Sequence, residues 1–508
     1  MTLSGVTRRH FIAGSAAVGV LALSGGRRAL AASEVDFKIP EPIGDLKADG
    51  PFRWIDSGDQ KGVFFKEFFP AYEAARGVET VYDGLPWQEI STVLPLGIRN
   101  GTAQDAFCLP LNVSPGYAVA QGWVQPFDDL IPDFEAWKAN FPAGSFLEGL
   151  NVFDGKAYGL PYTSGRVSSA HILFNRKLME AAGLDPQATS FTWSGFRDAA
   201  KKITEASSGS AYGFIIGGAQ INRWQDTTRA IAQMAGASGG SHAFYSDLNF
   251  RTGELLYDTD EYVGAVELLL AMNSDGSVFP GSMGMTAPQA RAFMPQGVAG
   301  MILQGPWNVP QWERENPDFD FGVAKPPLPD DKDPLPIIAE AVPSVANIMF
   351  IYAKAKNPMI AADVFRYLGT EDGQIAWGSL DGPADPPIMP SAIEKASMSE
   401  RSKAILTMAN EIIRVGPNPF VRNPALSEVT KVYQEPTPSF AQTVQGLFTG
   451  QITDVKKNMQ LLKSNTDKAI DAAFKLAQEA GAEVSRDDLV FPNWEPTKDY
   501  TQADYDAL

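Results

Sequence analysis

The sequence predicts an α/β protein whose sheets are rich in parallel strands. Three observations point there. From Pro51 onward, apolar strand-like runs alternate with stretches of helical periodicity. Glycines and Asp-Gly or proline-rich segments punctuate that alternation. The chain has 508 residues, 44% of them hydrophobic and 11% aromatic, enough for more than one buried core.

The first predicted strand is Phe52-Arg53-Trp54-Ile55, entering a loop at Asp56-Ser57-Gly58-Asp59. Phe64, Phe65, Phe68 and Tyr72 then recur at helical spacing, with Gly77 as the stop before a strand at 78–82. A helix is expected around Trp87 to Arg99, a buried stretch at 106–109, and a helix from Gly116 toward Gly122. Asp154-Gly155 has turn chemistry, and a long apolar strand at 168–174 ends at Asn175. Thr192-Trp193-Ser194 opens a helix carrying Phe196, Ala199, Ala200 and Ile203 on one face, and Tyr262, Val266, Leu269 and Leu270 mark another. Beyond about Gly481 the helical periodicity ends, so residues 481–508 are expected as an extended tail, either lying on the body or loose in solvent.

The N-terminus reads as a processing segment over residues 1–31. Thr7-Arg8-Arg9-His10-Phe11 runs into about thirteen apolar residues, and Ala29-Leu30-Ala31 offers a peptidase site. The Arg8-Arg9 pair is similar to a twin-arginine export signal. An anchor is the alternative, but such a stretch is shorter than the roughly twenty residues a spanning helix needs. Cleavage removes four arginines and no acid, which shifts the formal net charge from −18 to −22. A surface of that sign repels phosphates and anionic lipid, which argues against nucleic acid and membrane-surface functions. The single cysteine, Cys108, permits no internal disulfide, and with only His171 and His242 beyond the leader no Cys/His metal site is expected. No cofactor motif and no P-loop occurs.

Four blocks resemble the family 1 extracellular solute-binding proteins of ABC importers, the group that includes maltose-binding protein. They are Ala157-Tyr158-Gly159-Leu160-Pro161-Tyr162 with Leu173 to Leu178 and Ala182 to Pro186; Thr192-Trp193 with Phe196; Phe293, Gly297, Met301 and Gly305-Pro306-Trp307; and the helical Gly450 to Ala469. The resemblance implies a two-lobed periplasmic-binding-protein fold of type II-like build, with the ligand between lobes joined by hinge strands. One lobe would take residues 44–163 plus 346–398, the other 166–343 plus 399–480, with crossings near 163–166 and 342–346. It implies capture of a sugar or oligosaccharide in the periplasm by a monomer, delivery to the permease subunits of the transporter, and the twin-arginine translocase as partner during export. A polyamine, polyol or glycerol phosphate is the alternative ligand on the same fold.

A sugar site wants aromatic rings for stacking and planar polar groups for hydroxyls. Trp307 is the leading aromatic candidate and Asn308 beside it could add an amide, although either fits a structural role. Gln220, Asn222 and Trp224 concentrate suitable chemistry in one loop, but read equally as a helix start with the indole packed inward. Arg166 near the first crossing could aim a guanidinium into the cleft or lie on the surface. Asp59 and Ser57 follow the first strand at its carboxyl end, the usual ligand side of open α/β sheets, with capping of the next helix as the alternative for either. Trp87, Asn112, Tyr162, Phe420 and Arg422 complete the candidates, each with a structural alternative.

An exported carbohydrate-active enzyme is the rival reading. Gly236-Ala237-Ser238-Gly239-Gly240 matches Gly-x-Ser-x-Gly, but it follows a helical run rather than a strand, which is the wrong context for a nucleophile elbow. Any triad would have to use His171, inside an apolar strand, or His242. Sixty acids make some close carboxylate pair inevitable, which leaves a glycoside-hydrolase pair open, but no catalytic residue is assigned.

Overall fold

The computed structural model describes residues 35–58, 61–110, 113–189, 191–241, 243–380, 382 and 384–508. The export signal expected at 1–31 lies outside them. Contacts gather Phe37–Leu508 into one unit, to which the following applies.

The strands, in chain order, are β1 (Phe52–Asp56), β2 (Thr80–Gly84), β3 (Ala106–Cys108), β4 (Val124–Gln125), β5 (Val152–Phe153), β6 (Lys156–Ala157), β7 (Gly159–Leu160), β8 (His171–Asn175), β9 (Tyr212–Ile215), β10 (Ala299–Gln304), β11 (Phe321–Ala324), β12 (Ile337–Ala339), β13 (Met349–Tyr352) and β14 (Ile413–Val415). They form two main sheets. The first runs β2-β1-β3-β13-β4, with β7 also on β13. Its β1 is parallel to β2 and β3, whereas β13 returns from far along the chain and lies antiparallel to β3. Burial on both faces explains why β1 reads as a nearly continuous apolar run, with Phe52, Trp54 and Ile55 fully buried.

The helix Lys61–Arg76 covers this sheet with the aromatics expected from its spacing. Phe64, Phe65, Phe68, Phe69 and Tyr72 are all buried, and the Phe68 ring stacks on Tyr367 at 4.9 Å. Such rings bury large areas and fix relative orientation, which ties this helix to the returning helix Pro358–Leu368, while Trp54 of β1 meets Phe365 of the same helix at 6.1 Å. Tyr72 and Arg76 both bond the buried Asp363 carboxylate on that helix, at 2.9 and 2.8 Å.

The second sheet runs β11-β8-β10-β9, with β9 parallel to β10 and the other pairs antiparallel. The strand expected at 168–174 is shorter and later, His171–Asn175. Asn175 ends it because its side chain caps the next helix by accepting from the Leu178 N–H. Helix Trp193–Ala206 lies close on β9: a Cβ at Gly213 would sit 2.0 Å from the Ala200 carbonyl oxygen, so glycine is what the approach requires. The helices Phe440–Phe448 and Val455–Glu479 pack on the same lobe through Val444, Leu462, Ile470 and Phe474.

Residues 481–508 contain a short turn of helix at Arg486–Leu489 and another at Gln502–Asp506, joined by irregular chain. They lie on the second lobe. Phe491 and Trp494 are buried in its core, the Phe491 N–H donates to the Phe250 carbonyl at 2.6 Å, and Trp494 meets the Phe250 ring edge-on at 5.3 Å.

Between the sheets the chain passes at 163–165 and again at 342–344. These segments run antiparallel and exchange backbone bonds, Gly165 N–H to Val342 at 2.7 Å and Ser344 N–H to Thr163 at 2.9 Å. A third segment joins through Ser164 N–H to Pro386 at 2.8 Å. A small parallel pair, β12 with β14, continues from this region into the second lobe. No described helix is long and apolar enough to cross a membrane.

Candidate ligand-binding cleft

A cleft of about 620 Å³ opens where the two lobes meet over the crossing segments. One wall is Leu109-Pro110 at the end of β3, followed by Val113 to Gly116, where Ser114 caps the helix Pro115–Ala120 by accepting from Tyr117 N–H at 3.3 Å. The floor is the crossings themselves, at Gly165, Val167 and 343–346. The far wall comes from the end of β12 with Glu340, from Ser241, and from Asn418 and Phe420 after β14. Its size suits a small organic solute.

The lobes touch at the rim. Gly149 of the first lobe has φ +81°, and a Cβ there would stand 2.7 Å from the Phe420 carbonyl oxygen of the second. Lys431 Nζ lies 4.9 Å from the centre of the Tyr117 ring across the same gap.

Glu340 is the charged group of the far wall. It is 9% exposed; Oε1 accepts from the Ser241 N–H and hydroxyl, and Oε2 from the Tyr245 hydroxyl at 2.7 Å. Burial, reinforced by the Glu340 charge, pushes the Tyr245 hydroxyl well above the usual tyrosine range, so it stays a donor. Nothing in the sequence motifs pointed to Glu340, Ser241 or Asn418. The usable signal was the single acid inside the apolar run Ile337-Ile338-Ala339-Glu340-Ala341-Val342.

A second polar group sits at the carboxyl end of β1. Lys61, 3% exposed, donates to Ser57 Oγ at 2.7 Å and pairs with Asp385 at 3.3 Å, while its Nζ lies 5.9 Å from the centre of the Trp87 ring. Asp56 beside it is fully buried and accepts from Trp54 Nε1, the Gly58 N–H and the Tyr82 hydroxyl. Burial raises its carboxyl above the ordinary value, against the opposing pull of Lys61. Cys108, at the end of β3, is pushed up to about 12 by burial and then by Asp56, so it is an inert thiol.

The expected site residues scatter. Of them, Phe420 lines the cleft. Asp59 and Asn112 lie outside the described residues, as does His242. Trp87 is the first residue of the helix Trp87–Asn100, half-buried beside Lys61. Tyr162 is buried, its ring edge-on to Trp377 at 5.0 Å. Arg166 points away to the other side of the crossings, where it donates to the Ile413 carbonyl at 2.8 Å and to Asp499 at 2.6 Å.

Around 220 the inward alternative is the one observed. Trp224 is fully buried, donates to the Gly218 carbonyl at 3.0 Å and packs on Phe448 at 4.6 Å. Asn222 donates to Asp226, and Gln220 accepts from the Ala287 N–H. Trp307 folds back over Gly305, and Asn308, fully buried at the start of helix Asn308–Glu315, accepts from Arg291; neither lines the cleft. Arg422 is exposed, donates to the Val490 carbonyl and covers the Phe491 ring.

The Gly236 to Gly240 segment follows the helix Asn222–Met234, and Ser238 is buried rather than raised on a turn. His171 is fully buried in β8.

The sequence profile of the bacterial extracellular solute-binding proteins matches residues 56–375. The chain belongs to this family. The members of this family are binding proteins. A Brucella abortus (strain 2308) chain described as a binding protein is 27% identical to this solute-binding protein over 323 residues, which is 63% of this chain and 72% of that one. Among solved structures, the Thermus thermophilus maltotriose binding protein bound with maltotriose superposes at TM-score 0.58 with 20% identity, covering 82% of this chain and 99% of its own. UgpB of Mycobacterium tuberculosis in complex with glycerophosphocholine superposes at TM-score 0.60 with 14% identity, covering 84% and 99%. The two-lobed solute-binding fold is thus shared.

Proposed function

We propose that this chain is the substrate-binding component of an ABC importer, capturing a carbohydrate or carbohydrate derivative outside the cytoplasm and handing it to membrane permease subunits. The observation that carries the reading is the cleft of about 620 Å³ built across paired crossing segments, with both lobes contributing walls. Solute bound there touches both lobes, so it stabilises the closed arrangement in proportion to its preference for it. The closed form is then what the permease recognises. Maltotriose in the Thermus thermophilus relative supports a sugar as the class. Phe420 is the ring we assign to the solute, supported by its position on the far wall. The lobe boundaries we assign are those of the crossings, 163–166 and 342–346, and the protein acts as a monomer without catalysis.

Thermal shift against neutral mono-, di- and oligosaccharides, polyols and polyamines tests the reading, with small-angle scattering to detect closure. A shift with sugars, accompanied by a smaller radius of gyration, is expected. A shift with polyamines alone overturns the sugar class, and turnover of a glycoside overturns the transport role. We assign export to the twin-arginine route on Arg8-Arg9. Replacing both by lysine is expected to leave the precursor in the cytoplasm; continued export would assign it to the general secretory route.

A further inference from the structure

Glu340 is a carboxylate nine-tenths buried on the wall of a cleft, and its three protein partners, the Ser241 N–H, the Ser241 hydroxyl and the Tyr245 hydroxyl, are all neutral. No described lysine or arginine pairs with it. The buried cations among the described residues are engaged elsewhere: Lys61 with Asp385 at 3.3 Å, Arg223 with Asp226, and Arg229 with Asp247 at 2.7 Å. Its charge falls instead on two tyrosines, Tyr245 and Tyr505, whose hydroxyls are raised by burial first and by Glu340 in addition. Neutral donors orient a carboxylate but leave its charge uncompensated, and a charge held in that way out of water is costly unless a cation completes it.

The surroundings decide what completes it. Among the described lining residues there is no lysine, arginine or histidine, and the Asn418 Oδ1 accepts from the Phe420 N–H at 3.0 Å. Most of the remaining lining is apolar: Leu109, Val113, Val167, Ile338 and Val345. The Phe420 ring stands in the same corner, 5.9 Å from the Tyr245 ring that holds Glu340. A neutral polyol would find in Glu340 little more than an acceptor. An ammonium would find an opposite charge and an aromatic ring together, the pairing that recognises organic cations. The formal net charge of −18 also draws cations toward the surface.

We propose that the solute carries a cationic nitrogen seated on Glu340 with Phe420 beside it, so that the favoured ligands are amine-bearing sugars or other small organic ammonium compounds. The proposal rests on the solute-capture reading; within the sugar class it selects amine-bearing sugars, and binding of choline or putrescine without glucosamine would keep the cationic site while overturning the sugar class.

Calorimetric titration of the purified protein with matched probes tests it: glucosamine against glucose and N-acetylglucosamine, with choline and putrescine to separate an amino sugar from a simple ammonium. Binding by charged members and its loss on acetylation are expected. Glu340→Gln is expected to weaken the charged probes roughly 30-fold or more, and the neutral ones far less. Should that variant fold poorly, Phe420→Leu is expected to weaken charged probes more than neutral ones. Equal binding of glucosamine, glucose and N-acetylglucosamine, indifferent to Glu340→Gln, overturns the proposal and leaves solute capture standing. Absence of binding by every probe, charged or neutral, and by the wider sugar panel counts against both.

Discussion

His171 sits inside β8 with no exposure, its Nδ1 facing the Ser168 carbonyl at 3.1 Å, and burial lowers its pKa to about 4. In the unfolded chain it titrates near 6.5, so between these values the unfolded state binds the extra proton and the folded state does not. Stability therefore falls as the pH drops from about 6.5 to about 4 and is unaffected by this group above that window. The effect is at most about 3 kcal/mol. His171→Asn keeps a donor for Ser168 and removes the titration; the difference between its stability and that of the parent, measured by denaturant unfolding at several pH values, is expected to slope only within this window. Trp224 offers a second test at the same scale. As a core indole it is expected to cost about 3–5 kcal/mol on truncation to alanine, with solute affinity unchanged at temperatures where the variant is folded. A loss of affinity at full stability would return it to the ligand site. The sequence could not separate these outcomes, because Gln220-Ile221-Asn222-Arg223-Trp224 is equally suitable as a helix start and as a set of sugar contacts. What separates them is the direction of the indole, fixed by Gly218 and Phe448, which lie far apart in the chain.

Among the elements, the C-terminal segment departs most from its sequence signature. Lacking helical periodicity, residues 481–508 read as an extended tail on the body or loose in solvent; the first alternative is the one observed, and it goes further, since Phe491, Trp494 and Tyr500 are buried and Asp499 joins Arg166 to the N–H of Val415. The signal was there in the aromatics, not in their spacing: irregular chain buries side chains without a period to announce it. Phe491→Ala is expected to lower stability by about 3–5 kcal/mol, read as a lower melting temperature. A change within experimental error would show that the segment is dispensable to the second lobe. The regular elements were more legible. The aromatic face of Lys61–Arg76 and the inward face of Trp193–Ala206 follow from period alone, since each has one sheet to cover.

On the scale of the whole molecule, the family resemblance carried the two-lobed plan, whereas the composition of the cleft was hidden. Its walls come from six separated stretches, around 109–116, 149–150, 165–167, 241, 338–346 and 418–430, and no local pattern marks such convergence. The contact of Gly149 with Phe420 makes closure itself testable. Gly149→Ala places a methyl group 2.7 Å from a backbone oxygen of the opposite lobe, at a φ that alanine resists. The variant is expected to bind solute more weakly, by roughly tenfold for each 1.4 kcal/mol of closure lost, and to show a larger radius of gyration with solute than the parent. Identical scattering and affinity would show that the rim contact plays no part in capture. The burial of Phe491 and Trp494 beneath Phe250 also has a bearing on biosynthesis. The second lobe begins with β8 but lacks two of its buried rings until a segment made long afterwards has emerged from the ribosome. The core of that lobe is therefore completed only once this segment has been made, and until then the nascent chain carries an unfinished core open to chaperones.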